Sequence, residues 1–165
     1  EVIPFMEKQG LIGTSPEPAE LELLKRAVDL TRDRAKTLVE LVDVVSYFFR
    51  DDFDYEEKGM RKHFVPEGAA DLLSQAREII ASVDPFDHQT LENAYRAYAD
   101  KVGMKPAKLI HPTRLALSGR TIGPGLFELI ELVGREKSLE RIDRAVKFIK
   151  EELPAKLAAA EEATE

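Results

Sequence analysis

Apolar residues along this chain recur every three or four positions and almost nowhere every two. Leu38, Leu41, Val42, Val45, Phe48 and Phe49 trace one such stripe, the mark of a helix with a single buried face. A Thr37-x-x-Glu40 pair ahead of it has the form of a capping box. This cap separates the helix from an earlier one, over about residues 19–32, that buries Leu21, Leu24 and Val28 and takes Ser15-Pro16 as its start signal. Residues 50–55 then form an acidic break.

Beyond the break the spacing predicts a short helix over about residues 55–64, capped by Asp54. The next, after Pro66, buries Leu72, Leu73, Ala76, Ile79, Ile80 and Val83 and stops at Asp84-Pro85. Asp87 caps a helix that buries Leu91, Ala94, Tyr95, Tyr98 and Val102, with Gly103 as its stop. Pro106 and Pro112 divide the following helical stretch, which ends at Ser118-Gly119. A short helix with Leu126, Leu129, Ile130 and Val133 inward is halted by Gly134. Ser138 caps the last strong helix, which buries Leu139, Ile142, Ala145, Val146 and Ile149. The expected fold is all-α, in two small helical sub-domains at 1–53 and 54–152, with a frayed or disordered Ala/Glu-rich tail at 153–165.

Charge changes this picture in one place. From Lys101 to Gly125 there is no acidic residue, yet the stretch holds Lys101, Lys105, Lys108, Arg114 and Arg120. The chain has 24 Lys+Arg against 31 Asp+Glu, so the remainder carries 19 against 31, a balance of −12. A basic island on an acidic body points to a localised polyanion-binding surface, although a solvated face between two helices would look the same. The island closes in the loop Gly119-Arg120-Thr121-Ile122-Gly123-Pro124-Gly125. Its glycines let backbone approach a ligand, Pro124 sets the chain direction, and Leu126 just beyond offers an apolar edge to an unstacked base.

Other chemistry is excluded by spacing. His63, His88 and His111 are scattered and show no metal-ligand pattern. Asp52-x-Asp54-x-Glu56 opens like a calcium loop but has Glu57 where glycine is needed and His63 where glutamate is needed. The glycine loop has no Gly-Lys-Ser/Thr ending, and there is no nucleophile elbow, so no catalytic residue and no metal site are expected. Without cysteine the chain can form neither disulfide nor thiolate site, and no apolar run reaches the roughly 20 residues that span a bilayer. It opens on Glu1 with no signal-peptide pattern and is read as a piece of a longer chain, in the cytoplasm.

The wording of several segments resembles one family. His111-Pro112-Thr113-Arg114-Leu115-Ala116-Leu117-Ser118-Gly119-Arg120-Thr121, followed by Pro124-Gly125-Leu126-Phe127-Glu128, is similar to the C-terminal signature of bacterial glutamyl-tRNA synthetases. So are Arg34-Ala35-Lys36-Thr37-Leu38-Val39-Glu40-Leu41, the Tyr47-Phe48-Phe49 block, Gly103-Met104-Lys105-Pro106-Ala107-Lys108, and Gly134-Arg135-Glu136 with the closing helix. These matches run in order from about residue 20 to about residue 150. The resemblance implies the helical anticodon-binding cage of that class I enzyme, gripping the anticodon loop of tRNA(Glu) as a monomer. It implies no cofactor in this piece. ATP and Mg would serve a catalytic domain elsewhere in the parent, so this piece alone should not aminoacylate.

Site roles follow from the same resemblance. Arg34 stands where the family reads the third anticodon base, and its rigid fork suits the O2/N3 edge of cytosine and not the donors of guanine. The lesser alternative is an exposed arginine at a helix junction. Arg114 matches a position near the middle base, or else ties the loop to the bundle. Gly123, Pro124 and Leu126 fall where the family packs around the first base. Many relatives carry a hydroxyl residue at 123, and glycine leaves only backbone groups there. Lys101, Lys105, Lys108 and Arg120 are read as phosphate contacts or solvated charges. Whether the parent also charges tRNA(Gln) stays open, as does a helical protein-interaction module or stand-alone paralogue whose basic patch meets an acidic partner.

Overall fold

The computed structural model describes residues 1–164, and no strand occurs among them. The first part of the chain comprises α1 (Ile3–Lys8), α2 (Pro18–Thr31), a 3₁₀ turn at Arg32–Arg34, α3 (Leu38–Val45) and a second 3₁₀ turn at Ser46–Phe48. α2 and α3 pack together and, with α1, enclose Met6, Leu24, Ala27, Val42 and Val45. α2 starts two residues later than Ser15-Pro16 predicts. Glu17 accepts from the Glu20 backbone while the Glu20 carboxylate accepts from Glu17 N at 2.8 Å, and Pro18 fills a first-turn position where no N–H is needed. Thr37 does cap α3, accepting from Glu40 N at 3.1 Å, but the Glu40 carboxylate reaches one residue further back, to Lys36 N at 2.7 Å.

The second part runs α4 (Glu57–His63), α5 (Ala69–Ser82), α6 (His88–Val102), α7 (Ala107–Ser118), α8 (Leu126–Val133), α9 (Arg135–Lys147), a π-helical turn at Phe148–Glu152, and α10 (Leu153–Thr164). α7 is its hub, packing on α4, α5, α8 and α9, with Leu109, Leu115, Ala116 and Leu117 all essentially inaccessible. Pro112 therefore sits inside one continuous helix, where a division was expected. It removes one backbone donor, but burial on both sides of it holds the helix together. The Thr113 hydroxyl donates to Leu109 O at 2.7 Å and accepts from the Tyr95 hydroxyl at 3.2 Å.

Three further expectations shift. Ser138 lies within α9, not at its cap: the helix starts at Arg135 beside Gly134, and the Ser138 side chain is buried. Glu56, not Asp54, occupies the cap position of α4. The tail expected to fray is helical from Leu153, because Leu153 is buried, Leu157 packs on the core and the Lys156 ammonium lies 5.8 Å from the Phe148 ring centre. Residue 165 lies outside the described residues.

The acidic break at 50–55 connects the turn after α3 to α4, and one buried arginine of α9 fastens it. Arg141 is 2% exposed. Its guanidinium donates to Leu117 O at 2.6 Å at the end of α7, to Tyr47 O at 2.5 Å and, more weakly, to Arg50 O at 3.4 Å. Its Nε donates to Asp51 Oδ1 at 3.1 Å, and its face lies 5.1 Å from the Phe53 ring centre. Arg144, one turn on, holds Phe53 O at 2.8 Å. A single hydrophobic cluster accordingly runs from Met6 through Tyr47 to Leu153.

Replacing Arg141 by alanine should strand three backbone carbonyls, while Asp51 keeps water and Lys137 at 3.8 Å. We expect a loss of about 2–4 kcal/mol in urea unfolding. The exposed Arg77–Asp143 pair is the control: Arg77→Ala should leave the unfolding midpoint close to that of wild type. Equal losses for the two variants would refute the role given to Arg141.

Candidate nucleic-acid interface

The end of α2, the turn at Arg32–Arg34, the turn after α3, the start of α4 and the loop between α7 and α8 surround one cleft of about 210 Å³. The loop is shaped by short-range demands. Gly119 ends α7 at φ 74°, where a side chain would be strained, and a Cβ there would overlap the Asp54 carbonyl. Its own carbonyl accepts from Glu56 N at 2.8 Å. The Glu56 carboxylate then accepts from Thr121 N at 3.3 Å and the Thr121 hydroxyl at 2.9 Å. The loop is thus stapled to the 50–56 segment. What approaches its tightest glycine is the protein's own backbone, where a ligand was expected.

This arrangement brings Arg34, Arg120, Gly123 and Pro124 into the same cleft wall, along with Tyr47, Glu56 and Ile122. Their chemical states differ. Arg120 is committed: it donates to Asp43 Oδ2 and Asp43 O, each at 2.9 Å, and covers the Tyr47 ring at 5.8 Å. That hydrogen bond, opposed by burial, raises its pKa. Through these bonds it braces the loop against α3. Arg114 stands behind the loop, its Nη1 donating to the Pro124 carbonyl, and burial lowers its pKa with Arg34 adding to the effect. That bond is the contact a loop-tying role for Arg114 calls for.

Arg34 is exposed and forms no hydrogen bond or ion pair among the described residues. Tyr47 is 3% exposed, and burial pushes its phenol up to about 12 against the pull of Arg120, Arg114, Arg141 and Arg34. Desolvation outweighs four nearby cations, so the hydroxyl stays protonated and can donate as well as accept.

Two sequence assignments move. Leu126 is 3% exposed, its side chain facing the core as the first residue of α8, so it offers no edge to a ligand. The apolar edge is Ile122, four residues earlier and 77% exposed. An isoleucine in a glycine-rich loop belongs to no helical stripe, and that was the signal available in the sequence. A Cβ at Gly123 would meet Arg114 Nη1 at 3.7 Å and the Tyr47 hydroxyl at 3.9 Å, ordinary contacts that leave room for a larger residue. Lys101, Lys105 and Lys108 are exposed around the α6–α7 turn and line no part of this cleft.

Comparison with known proteins agrees with this geometry. The chain is 46% identical over 152 residues to glutamate–tRNA ligase 1 of Caldanaerobacter subterraneus subsp. tengcongensis, covering 92% of this chain and 31% of that protein. It is 48% identical over 151 residues to the glutamate–tRNA ligase of Moorella thermoacetica, with the same two coverages. The chain therefore spans about a third of the length of these relatives. In fold it resembles a crystal structure of a glutamate tRNA ligase from Elizabethkingia meningosepticum, with a TM-score of 0.74 at 24% identity over 90% of this chain and 29% of that one. Residues 1–146 match the family described as the anticodon binding domain, and the chain belongs to that family.

Proposed function

We propose that this chain is the anticodon-gripping module of a glutamate–tRNA ligase and that it binds the anticodon loop of tRNA(Glu). In this reading the ATP- and Mg-dependent attachment of glutamate belongs to another part of the parent protein, which acts as a cytoplasmic monomer. The observation that carries the reading is the unpaired guanidinium of Arg34 on the wall of a cleft whose other arginines are braced. A base reader has to be free to exchange water for a base edge, and among the described residues Arg34 is the arginine near Tyr47 that has no protein acceptor.

The base that meets Arg34 is assigned as the third of the anticodon, and its cytosine O2/N3 edge suits the fork. Ile122 supplies an exposed apolar side chain against which an unstacked base can pack. Tyr47 gives that cleft a neutral hydroxyl. Gly123 and Pro124 contribute backbone and shape beside the first base, and Arg114 acts by holding the Pro124 carbonyl. Leu126 acts only through the core.

A binding panel of tRNA(Glu) anticodon variants tests this. Arg34→Ala should weaken binding by about 1–3 kcal/mol and erase the preference for C over G at the third base. An unchanged preference would sink the assignment. Ile122→Ala should weaken binding by about 1 kcal/mol without moving the thermal midpoint. Leu126→Ala should do the reverse, costing about 2–5 kcal/mol of stability. If Ile122→Ala binds like wild type, the apolar cover is not Ile122.

A further inference from the structure

A second cleft, of about 300 Å³, opens between α4, α7 and the start of α5. Its walls include Lys62, His63, Lys108 and His111 above an apolar floor at Leu72, with Glu67 as its single carboxylate. The imidazoles of His63 and His111, unremarkable and far apart in sequence, stack with ring centres 5.2 Å apart and planes inclined by 26°. Neither makes a hydrogen bond or salt bridge to an acidic residue among the described residues. His63 is half-buried, and burial, then His111, then Lys62 lower its pKa. Two ammonium groups and two stacked imidazoles around one carboxylate form a pocket whose missing partner is an anion.

Its position gives the anion a source. α4 begins at Glu56 in the Arg34 cleft and ends at His63, about 10 Å further along at 1.5 Å per residue. α7 runs beside it, because a Cβ at Gly59 would lie 3.0 Å from Leu115 and 2.6 Å from Thr121, and His111 is one turn before Leu115. The two clefts therefore sit at opposite ends of the α4–α7 seam. Resting on the reading above that the chain binds tRNA, we propose that the Lys62–His63–Lys108–His111 cleft takes a backbone phosphodiester of the same RNA strand, next to the bases held by the Arg34 cleft. A phosphodiester carries one charge at all relevant pH values, so any pH dependence comes from the protein. Protonation of the imidazoles favours the bound anion, and by linkage the bound anion raises the pKa of His63. Lys62 and Lys108 face the anion from the same walls, and Glu67 is the carboxylate set against it.

The test uses the whole chain and a tRNA(Glu) transcript over a range of salt concentrations, at about pH 5.5 and about pH 8. The Lys62→Ala/Lys108→Ala double variant removes two exposed side chains and should fold as wild type. It should bind about tenfold more weakly, with a salt slope reduced by about 0.7–0.9, as the loss of one phosphate contact requires. Wild type should bind more tightly at the lower pH, and His63→Gln/His111→Gln should flatten that difference while leaving the third-base preference intact. Wild-type affinity and slope in the lysine variant would overturn the proposal. If wild type binds no tRNA, the reading above fails and the cleft is judged with dimethyl phosphate: movement of the His63 and His111 ring resonances, lost in the lysine variant, supports the site, and no movement overturns it.

Discussion

The fold turns on one guanidinium. Arg141 is shut away from water, which costs a cation several kcal/mol unless its donors are met. They are met by Leu117 O, Tyr47 O, Arg50 O and Asp51 Oδ1, groups contributed by the end of α7 and by the chain leaving α3. None of those carbonyls has a helical partner further along, since each sits where a helix or turn is ending. The arginine and the four acceptors thus satisfy one another, and the geometry that does so sets the distance between the two parts of the chain. Tyr47, whose carbonyl is held from below, presents its ring and hydroxyl to the Arg34 cleft on the other side. The cleft's back wall is positioned by a bond that never touches a ligand.

The other arginines near Tyr47 divide the work in the same way. Arg120 is matched by Asp43 and Arg114 by the Pro124 carbonyl, so each fixes a piece of loop. Bound this way they cannot swing toward an incoming strand without first giving up a charge-assisted bond. Arg34 pays no such cost. Base discrimination is a difference between two affinities, and it is largest when the reading group is unpaired before binding and its surroundings are rigid. Three anchored cations around one free one meet both conditions.

Periodicity made most of the helices legible because each buries one stripe, although Leu21 and Val102, read as inward, are exposed and α1 was not read, and the family wording made the loop legible. The misplaced details share a cause. Ser15-Pro16, Asp54 and Ser138 are good cap residues, yet Glu17, Glu56 and Gly134 hold those positions. Cap choice depends on which neighbour can return a bond or which backbone angle is needed, and that is settled in three dimensions. Arg120 looked like a free cation because its partner Asp43 lies 77 residues away, and Arg141 stayed hidden in a charged stretch because its acceptors are mostly backbone. Leu126 and Ile122 were exchanged for a simpler reason. The helix begins at Leu126, which turns that side chain inward and leaves the loop isoleucine facing out.

α7 links these features mechanically. It carries His111 and Arg114 about one turn apart, and Gly119 caps its C-terminal end, so it touches both clefts and the loop between them. A helix with a proline in its interior would ordinarily be a place to bend. Here the Tyr95 hydroxyl, the Thr113 hydroxyl and Leu109 O form a buried chain of hydrogen bonds across that point, and α4, α5, α8 and α9 enclose it. Bending α7 would break that chain and open the core around it. The separation between the Arg34 cleft and the His63–His111 cleft is therefore a property of the folded protein. A strand that fits both gains the second contact at little further cost in ordering.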